Sequence, residues 1–239
     1  MTGSGAAARI LVVDDEHAIV RALGAALEAR GYRVDVARDG HEALEKAAGT
    51  TPDLIILDLG LPDLDGIEVC RKVRAWSDVP IVVLTAEGSD EAKVSALDEG
   101  ADDYVTKPFS TPELLARVRV ALRHAESRRG HDAPDEARYE VGSLVVDLPH
   151  HEVRVGDTKL DLTPKEFGFL AVLAKHPGRV LTHRMILQEV WGEGYGTETQ
   201  YLRVYASQLR KKLAGLGAPD LVTEPGVGYR LVQAEGQGS

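Results

Sequence analysis

Acidic side chains follow two short apolar runs in the first half of the chain. Asp14 and Asp15 come directly after Ile10–Val13, and Asp58 comes directly after Leu54–Leu57. If these runs are neighbouring parallel strands, three carboxylates meet at one sheet edge, where their mutual repulsion requires a cation. Mg²⁺ suits such a site, because this hard ion binds one or two carboxylates and keeps room for a phosphate oxygen. The spacing therefore predicts a magnesium site.

Two further apolar runs end in residues that complement this site. Thr85 follows Ile81–Leu84 and offers a hydroxyl group, and Lys107, directly before Pro108, offers an ammonium group. Such a set suits phosphoryl transfer to a carboxylate, with Asp58 as nucleophile and with the metal and Lys107 offsetting phosphoryl charge. Each residue alone is typical of a helix cap or a surface side chain. Their repetition at successive strand ends favours the chemical interpretation.

Alternating elements must position these residues. Five runs rich in Val and Ile alternate with segments of helical period, among them Ile19–Leu27, Ile67–Arg74 and Leu114–Leu122. This order predicts an α/β domain with a doubly wound, five-stranded parallel sheet, the (βα)5 arrangement. Ligands bind such sheets at the carboxyl ends of the strands, where the acidic residues lie.

The pattern changes after residues 126–138, a segment almost free of large apolar side chains and typical of a linker. Short strand-like runs within Val141–Leu162 come next, followed by three helical segments and a strand pair around the turn Pro225–Gly226. Three helices and a hairpin predict a winged helix-turn-helix domain. We therefore expect domains at residues 1–125 and 139–236, joined by a linker at 126–138.

Composition excludes several classes of protein. The 239 residues are 44% hydrophobic and 28% charged, with a net charge of -10. No apolar run approaches the ~20 residues that a bilayer requires. The opening segment Met1–Arg9 has no basic stretch ahead of an apolar one, so we expect no secretory signal, no membrane partner and a cytoplasmic location. The single cysteine, Cys70, cannot form an internal disulfide, and we expect a packed core thiol.

Several longer motifs stand in this sequence: ILVVDDE, LIILDLGLPDLDG, IVVLTA and GADDYVTKPF in the first half, and TEPGVGYRL near the end. By the first four, which are similar to those of receiver domains, and by the last, which is similar to the output domain, the chain resembles a two-component response regulator of the OmpR/PhoB winged-helix family. The resemblance implies that a sensor histidine kinase phosphorylates Asp58 and that Lys107 binds the phosphoryl group. It further implies that the Gly60 backbone carbonyl helps to bind Mg²⁺ and that Thr85 and Tyr104 form a switch pair.

The same resemblance implies partners. Phosphorylation is expected to drive homodimerisation, and the segment Trp191–Glu198 is expected to contact RNA polymerase. Within the family, YGTETQYLRVYASQLRKKL is similar to regulators of potassium-transport operons, which implies promoter DNA of that kind as target and a KdpD-like kinase. The charged pairs implied across the dimer axis are Lys93 with Glu113, Asp98 with Arg119, and Asp103 with Arg117. An apolar patch of Val94, Leu97 and Leu115 is expected beside them.

The helix predicted at Gln200–Leu213 is the candidate reader of a DNA major groove. Its apolar side chains are expected to pack on the domain, which leaves basic and polar side chains exposed. Arg203 and Gln208 have side chains that can read base edges. The other basic side chains, Arg210, Lys211 and Lys212, are expected mainly to hold phosphates. The predicted DNA-binding residues are Arg203, Ser207, Gln208, Arg210 and Lys211 on the helix, with Thr223 and Tyr229 on the wing.

Two alternatives use the same residues. A phosphatase or phosphomutase can also form an aspartyl phosphate, but phosphatases of the haloacid dehalogenase type need a second acid two residues beyond the nucleophile. Gly60 occupies that position. We therefore predict no enzyme activity beyond self-phosphorylation and slow autodephosphorylation at Asp58. The other alternative is a regulator with a vestigial pocket, against which the complete set of acids, hydroxyl and lysine argues.

Overall fold

A computed structural model describes residues 7–86, 90–129 and 138–233. The chain forms two compact units, which divide between Glu126 and Ser127. Helical structure continues to Arg129, four residues into the segment predicted as linker. Residues 130–137 lie outside the described residues, and the limits of the linker otherwise stay a prediction.

The first unit is a five-stranded parallel sheet with strand order β2-β1-β3-β4-β5. Its elements are β1 (Arg9–Val13), α1 (His17–Glu28), β2 (Arg33–Ala37), α2 (Gly40–Thr50), β3 (Leu54–Asp58), α3 (Gly66–Arg74), β4 (Ile81–Ala86), α4 (Asp90–Asp98), β5 (Asp103–Lys107) and α5 (Thr111–Arg129). The predicted α/β fold is confirmed.

The central strands are buried on both faces. Every residue of β3 is buried, as are the first five residues of β4. This double coverage explains why the strands read as continuous apolar runs rather than as alternating ones. Cys70 lies on the inner face of α3 with 0% exposure, and burial raises the pKa of its thiol to about 12. The prediction of a packed core thiol is confirmed.

The second unit contains two antiparallel sheets and three helices. Its elements are β6 (Arg138–Val141), β7 (Leu144–Asp147), β8 (Glu152–Val155), β9 (Thr158–Leu160), α6 (Pro164–Ala174), β10 (Leu181–Thr182), α7 (His183–Trp191), α8 (Thr199–Leu213), β11 (Asp220–Glu224) and β12 (Gly228–Val232). The strand orders are β6-β7-β8-β9 and β10-β12-β11. Three helices followed by the β11–β12 hairpin are the predicted winged helix-turn-helix arrangement.

Local signals in the sequence set the limits of these helices. Thr163 and Glu166 form a reciprocal capping box at the start of α6, with Pro164 as its first residue. The fully buried aromatic side chains Trp191, Tyr201 and Tyr205 join α7 to α8. Among the described residues, no helix is both long enough and apolar enough to cross a bilayer.

Candidate functional site

The carboxyl ends of β1 and β3 bring the predicted acidic residues together. Register pairs Val13 with Leu57, so that Asp14 and Asp58 end neighbouring strands. Oxygen atoms from the carboxylates of Asp14, Asp15 and Asp58 all lie within 4.8 Å of one another. Asp14 is 0% exposed and Asp58 is 7% exposed, whereas Asp15 is exposed. Two buried anions and one exposed anion therefore share one edge of the sheet.

Lys107, the last residue of β5, reaches across to this cluster. Its Nζ lies 2.9 Å from Asp14 Oδ2 and 3.0 Å from Asp58 Oδ1. A weaker contact of 3.7 Å joins the same Nζ to Glu16. The ammonium group thus bridges the ends of two other strands, and the peptide bond that follows it, Lys107–Pro108, is cis.

Burial of the site disfavours the charged forms of its side chains, and their ion pairs oppose this effect. Burial raises the pKa of Asp58, the hydrogen bond and charge of Lys107 oppose that rise, and the neighbouring Asp14 adds to it. Burial alone would lower the pKa of Lys107, but its bonds to Asp14 and Asp58 raise it. Lys107 is therefore an ammonium at neutral pH, and one positive charge faces three carboxylates.

The donor set fits a hard divalent cation. Three carboxylates and one ammonium leave two excess negative charges, which a dication balances. Both oxygens of Asp14 already have protein partners, since Oδ1 accepts a 2.8 Å bond from the Glu16 N–H and Oδ2 accepts a 2.9 Å bond from Lys107 Nζ. Gly60, in the exposed loop after β3, donates its backbone N–H to Asp58, so this residue lies next to the carboxylate cluster.

The predicted switch residues lie on the two strands beyond Asp58. Thr85 is 2% exposed and stands one residue past Leu84, the register partner of Asp58. Its hydroxyl makes a long contact of 3.4 Å with the Ala86 carbonyl. Tyr104 is half-buried on β5, and the Lys93 ammonium lies 5.5 Å from the centre of its ring.

One of the predicted dimer pairs exists within a single chain. Arg117 Nη1 lies 3.1 Å from Asp103 Oδ1, and Asp103 is only 3% exposed. Arg117 also lies 3.6 Å from Glu113, one turn earlier on α5. Asp98 and Arg119 are exposed on the surface. A bond from Arg117 to another chain would therefore replace an existing partner.

The predicted apolar dimer patch is wrong in two of its three members. Leu97 and Leu115 are each 2% exposed, because they lie on the inner faces of α4 and α5. Leu115 belongs to the main core cluster of the unit. Val94, at 40% exposure, is the member of the patch that reaches the surface.

Sequence reasoning missed a buried ion pair at the opposite edge of the sheet. Arg74 Nη2 lies 2.5 Å from Asp102 Oδ2, and the two side chains are 9% and 4% exposed. The same guanidinium donates to the carbonyls of Gly100 and Val79. A signal was present, since Arg74 falls on the apolar stripe of α3, where an arginine needs internal partners.

In the second unit, α8 exposes much of the predicted DNA-binding set. The exposed residues are Arg203, Ser207, Arg210 and Lys211, whereas Gln208 is half-buried. The apolar side chains of α8 are buried, as predicted. Arg210 is also tied to the wing, because its guanidinium donates to the Leu221 carbonyl at 2.9 Å and to the Thr223 hydroxyl at 2.6 Å. The helix and the wing are therefore bonded through two of the predicted contact residues.

Tyr229 does not lie where the prediction of a DNA-backbone contact requires. It is 3% exposed, with its ring edge-on to Phe169 and His183, and burial raises the pKa of its hydroxyl. Lys212, also expected to hold phosphates, instead lies 2.7 Å from the buried Glu166. Both corrections have one cause: these side chains point from β12 and α8 towards the interior of the unit.

The predicted polymerase segment is partly buried. Trp191 and Tyr195 are 1% and 5% exposed and pack against Tyr201, whereas Glu193 and Thr197 are exposed. The Glu198 carboxylate accepts backbone bonds within the segment. The segment is therefore an ordered connector with a polar exposed edge.

Comparisons with known proteins match both units. Residues 10–119 match the response regulator receiver domain, and residues 157–231 match the C-terminal domain of transcriptional regulatory proteins. The chain is 46% identical over 224 residues to the transcriptional regulatory protein KdpE of Mycobacterium tuberculosis H37Rv, covering 93% of this chain and 98% of that one.

Other relatives are similar over the same length. The KDP operon transcriptional regulatory protein KdpE of Escherichia coli K12 is 46% identical, covering 93% of this chain and 98% of that one. Response regulator MprA of Mycolicibacterium vanbaalenii is 45% identical, covering 93% and 96%. The solved structure of a RitR mutant matches with a TM-score of 0.76 and 29% identity, covering 94% of this chain and 98% of the other.

Proposed function

The chain belongs to the response regulators of the OmpR/PhoB type, with a receiver and a DNA-binding domain, and from this we propose that phosphorylation of Asp58 activates it as a transcription regulator. A sensor histidine kinase is the proposed donor. The observation that carries the proposal is the Lys107 ammonium, held between Asp14 and Asp58 beside a third carboxylate. Such a group can pass from the free carboxylate to a phosphoryl oxygen without leaving the site.

The transfer step uses Asp58 as nucleophile. A carboxylate oxygen of Asp58 forms a bond to phosphorus while the bond from phosphorus to the phosphohistidine nitrogen breaks, and the imidazole keeps the electron pair and takes up a proton. Asp14, Asp15, Asp58 and the Gly60 carbonyl would hold Mg²⁺, which would supply charge compensation for the phosphoryl oxygens. Lys107 donates to one of those oxygens in place of its bond to Asp58.

Loss of the phosphoryl group is proposed to be slow. Hydrolysis of an aspartyl phosphate is assisted by a side chain that takes a proton from the attacking water, and Gly60, two residues beyond Asp58, has no side chain to do so. Asp58 therefore stores the phosphoryl group, and we propose self-phosphorylation and slow autodephosphorylation as the only chemistry of the protein.

Phosphorylation is proposed to act on Thr85 and Tyr104. An aspartyl phosphate carries more negative charge and more acceptor oxygens than Asp58, which favours inward movement of the Thr85 hydroxyl. Its present contact with the Ala86 carbonyl is long, at 3.4 Å, and is readily exchanged. Tyr104 then turns into the vacated space and leaves the Lys93 ammonium that now lies against its ring.

The active form is proposed to be a homodimer. Lys93 with Glu113 and Asp98 with Arg119 are the proposed pairs between chains, since Glu113, Asp98 and Arg119 are exposed. The internal Asp103–Arg117 pair must exchange partners to join them. Exposed ion pairs contribute only about 0–1 kcal/mol each, so the dimer requires several of them together.

DNA binding is assigned to the exposed face of α8 and to the wing. Arg203, Gln208 and Lys211 are the proposed base and phosphate contacts, and the Arg210–Thr223 bond fixes the wing relative to the helix. Two copies on adjacent half-sites would raise the affinity of a domain with little net charge. The exposed edge of residues 191–198 is the proposed contact for RNA polymerase. This function places the protein in the cytoplasm, with its DNA.

The proposed target is the promoter of a potassium-transport operon, and the proposed donor is a KdpD-like kinase. Support comes from the 46% identity to the KDP operon regulator of Escherichia coli. Identity to MprA is nearly as high, at 45%. A promoter assay must therefore compare a KDP operon fragment with unrelated promoter DNA.

Acetyl phosphate with Mg²⁺ provides the test. We expect wild-type protein to gain the mass of one phosphoryl group and to bind the promoter fragment more tightly, whereas Asp58→Ala shows neither change. Asp78→Ala, in an exposed position after α3, is the matched control and should behave as wild type. A wild-type protein that gains no mass, or an Asp58→Ala variant that gains as much, would contradict the proposal.

A further inference from the structure

Asp63 lies in the loop between β3 and α3 but bonds to a different helix. Its carboxylate accepts hydrogen bonds from the backbone N–H groups of Gly40 at 2.7 Å and His41 at 3.0 Å, the first two residues of α2. Nδ1 of the His41 side chain lies 2.5 Å from the same carboxylate. These bonds connect parts of the chain 22 and 23 residues apart. They therefore link the loop that follows Asp58 to the start of α2.

The start of α2 depends on this carboxylate. The first N–H groups of a helix have no partner within it. The Glu42 N–H donates to the N-cap residue Asp39 at 2.8 Å, so the N–H groups of Gly40 and His41 are left to Asp63. These backbone bonds, that of Gly40 above all, hold the pKa of Asp63 well below its usual range. Asp63 thus stays ionised and bound near neutral pH.

The same loop carries the proposed carbonyl ligand, Gly60. On one side of it, the Leu59 N–H donates to the Leu84 carbonyl and the Leu59 carbonyl accepts from the Gly66 N–H, both at 3.2 Å. On the other side, Asp63 attaches to α2. Only residues 60–62 lie between these two attachments. The position of the Gly60 carbonyl therefore depends on both.

Close packing between the loop and α2 supports the same link. A Cβ atom placed on Gly40 would lie 2.7 Å from Leu64 Cβ, too close for any side chain. A Cβ atom on Gly66 would lie 2.5 Å from the Asp58 carbonyl oxygen. Glycine at both positions lets the loop lie directly against α2 and β3. The Asp63 bonds fix the loop where this packing allows it to sit.

We propose that Asp63 is a positioning residue that fastens residues 59–64 to α2 and thereby holds the Gly60 carbonyl at the metal site. The inference rests on the proposed function, because it takes a divalent cation to bind beside Asp58. With Asp63 in place, only residues 60–62 lie between two attachments. Without Asp63, the segment that lacks an attachment lengthens from residues 60–62 towards Gly66. Cation binding must then order this longer segment, which lowers the affinity.

The test measures Mg²⁺ affinity on the full-length protein, by titration followed through backbone amide chemical shifts. We expect Asp63→Ala to weaken Mg²⁺ binding by about tenfold, in the range found for outer partners of metal ligands. Asp39→Ala removes the N-cap of the same helix without removing any bond to Asp63, and His41→Ala removes the imidazole contact with Asp63 but keeps both backbone bonds to it. Both controls should stay within about twofold of wild type. Asp63→Asn keeps one acceptor oxygen and should lie between wild type and Asp63→Ala.

Hydrogen exchange gives a second readout that needs neither metal nor phosphorylation. In metal-free Asp63→Ala, amides of residues 59–66 should exchange faster than in wild type or in Asp39→Ala. Where Asp63→Ala does not fold, Asp63→Asn serves for both measurements.

The outcomes separate this inference from the proposed function. Unchanged Mg²⁺ affinity and loop exchange in the Asp63 variants would overturn the inference, as would an equal effect of Asp39→Ala, which would indicate helix stability alone. A wild-type protein that binds Mg²⁺ but gains no phosphoryl mass would overturn the proposed function and leave the role of Asp63 standing.

Discussion

The two units of the chain hold their candidate functional residues in different ways. In the first unit, Asp14 directly follows one strand and Asp58 and Lys107 end two others, and the sheet places the Lys107 ammonium within 3.0 Å of both carboxylates. In the second unit most of the candidate DNA-binding residues lie on the exposed face of α8, and one of them, Arg210, donates a hydrogen bond to the Thr223 hydroxyl on the wing. The order of the strands thus brings the residues of the first site together. The candidate DNA-binding surface, by contrast, consists of those α8 side chains that packing leaves exposed.

Removing Lys107 should produce the largest effect. We expect Lys107→Ala to slow phosphorylation of Asp58 by acetyl phosphate about 100-fold or more, because one preorganised charge on the transferring group is lost. Intact mass against time measures the rate. Lys72→Ala, on the exposed side of α3, should match wild type. A phosphorylation rate for Lys107→Ala within about threefold of wild type would show that the strand-end arrangement of Lys107 and Asp58 is not what drives the reaction.

Arginines 117 and 119 separate internal from exposed charge within the first unit. Arg117→Ala should lower the free energy of unfolding by about 2–3 kcal/mol, because the buried Asp103 carboxylate loses its guanidinium neighbour. Arg119→Ala, at an exposed position, should change it by less than about 0.5 kcal/mol. Urea unfolding measures both. Equal, small changes would indicate that the Asp103–Arg117 pair does not persist in the free chain.

A matching contrast applies to α8. Arg203→Ala should weaken promoter binding about tenfold, since a base or phosphate contact contributes about 1–3 kcal/mol, and should leave stability unchanged. Lys212→Ala should do the reverse, lowering stability by about 1–3 kcal/mol through loss of its bond to the buried Glu166. Gel-shift titrations and thermal unfolding distinguish the two. Equal loss of DNA affinity in Lys212→Ala would contradict its internal role.

The smallest expected effect concerns Asp58 and pH. Burial raises the pKa of Asp58 in the folded state, so the native protein binds this proton more tightly than the unfolded chain. Stability contributed by this group is therefore lost as pH rises from the ordinary carboxyl pKa through the folded one. Asp58→Asn should unfold a few degrees above wild type near neutral pH, with the difference vanishing in acid and shrinking when Mg²⁺ is added. A neutral-pH midpoint below that of wild type would show that Lys107 outweighs burial.

Sequence alone predicts the elements of the fold well where burial is continuous. The runs before Asp14 and Asp58 can be recognised as strands because both faces of the sheet are covered, which makes each run continuously apolar. The two-residue strand β10 leaves no pattern to detect, and it exists because Gly228 lets β12 approach it closely. The extension of α5 to Arg129 is equally invisible, since polar helix and polar linker have similar compositions.

The residues of the candidate site likewise fall into those that the sequence can predict and those that it cannot. Asp14, Asp58 and Lys107 can be found from sequence because each directly follows or ends a strand. Asp63 and Lys212 cannot, because neither marks the end of a strand and their partners are determined by how the loop and the helices pack. Exposure is likewise a property of the packed molecule, which is why Leu115 and Tyr229 were placed wrongly on surfaces.

The inaccessible thiol of Cys70 makes the native protein a convenient object for distance measurements. With 0% exposure and a pKa of about 12, this side chain offers almost no thiolate to a maleimide or methanethiosulfonate reagent near neutral pH. A single cysteine introduced at an exposed position outside the proposed dimer pairs, such as Asp78, would therefore be the one residue that takes a spin label. Pulsed electron resonance on that labelled protein, before and after acetyl phosphate, would report directly the spacing between two chains as they assemble.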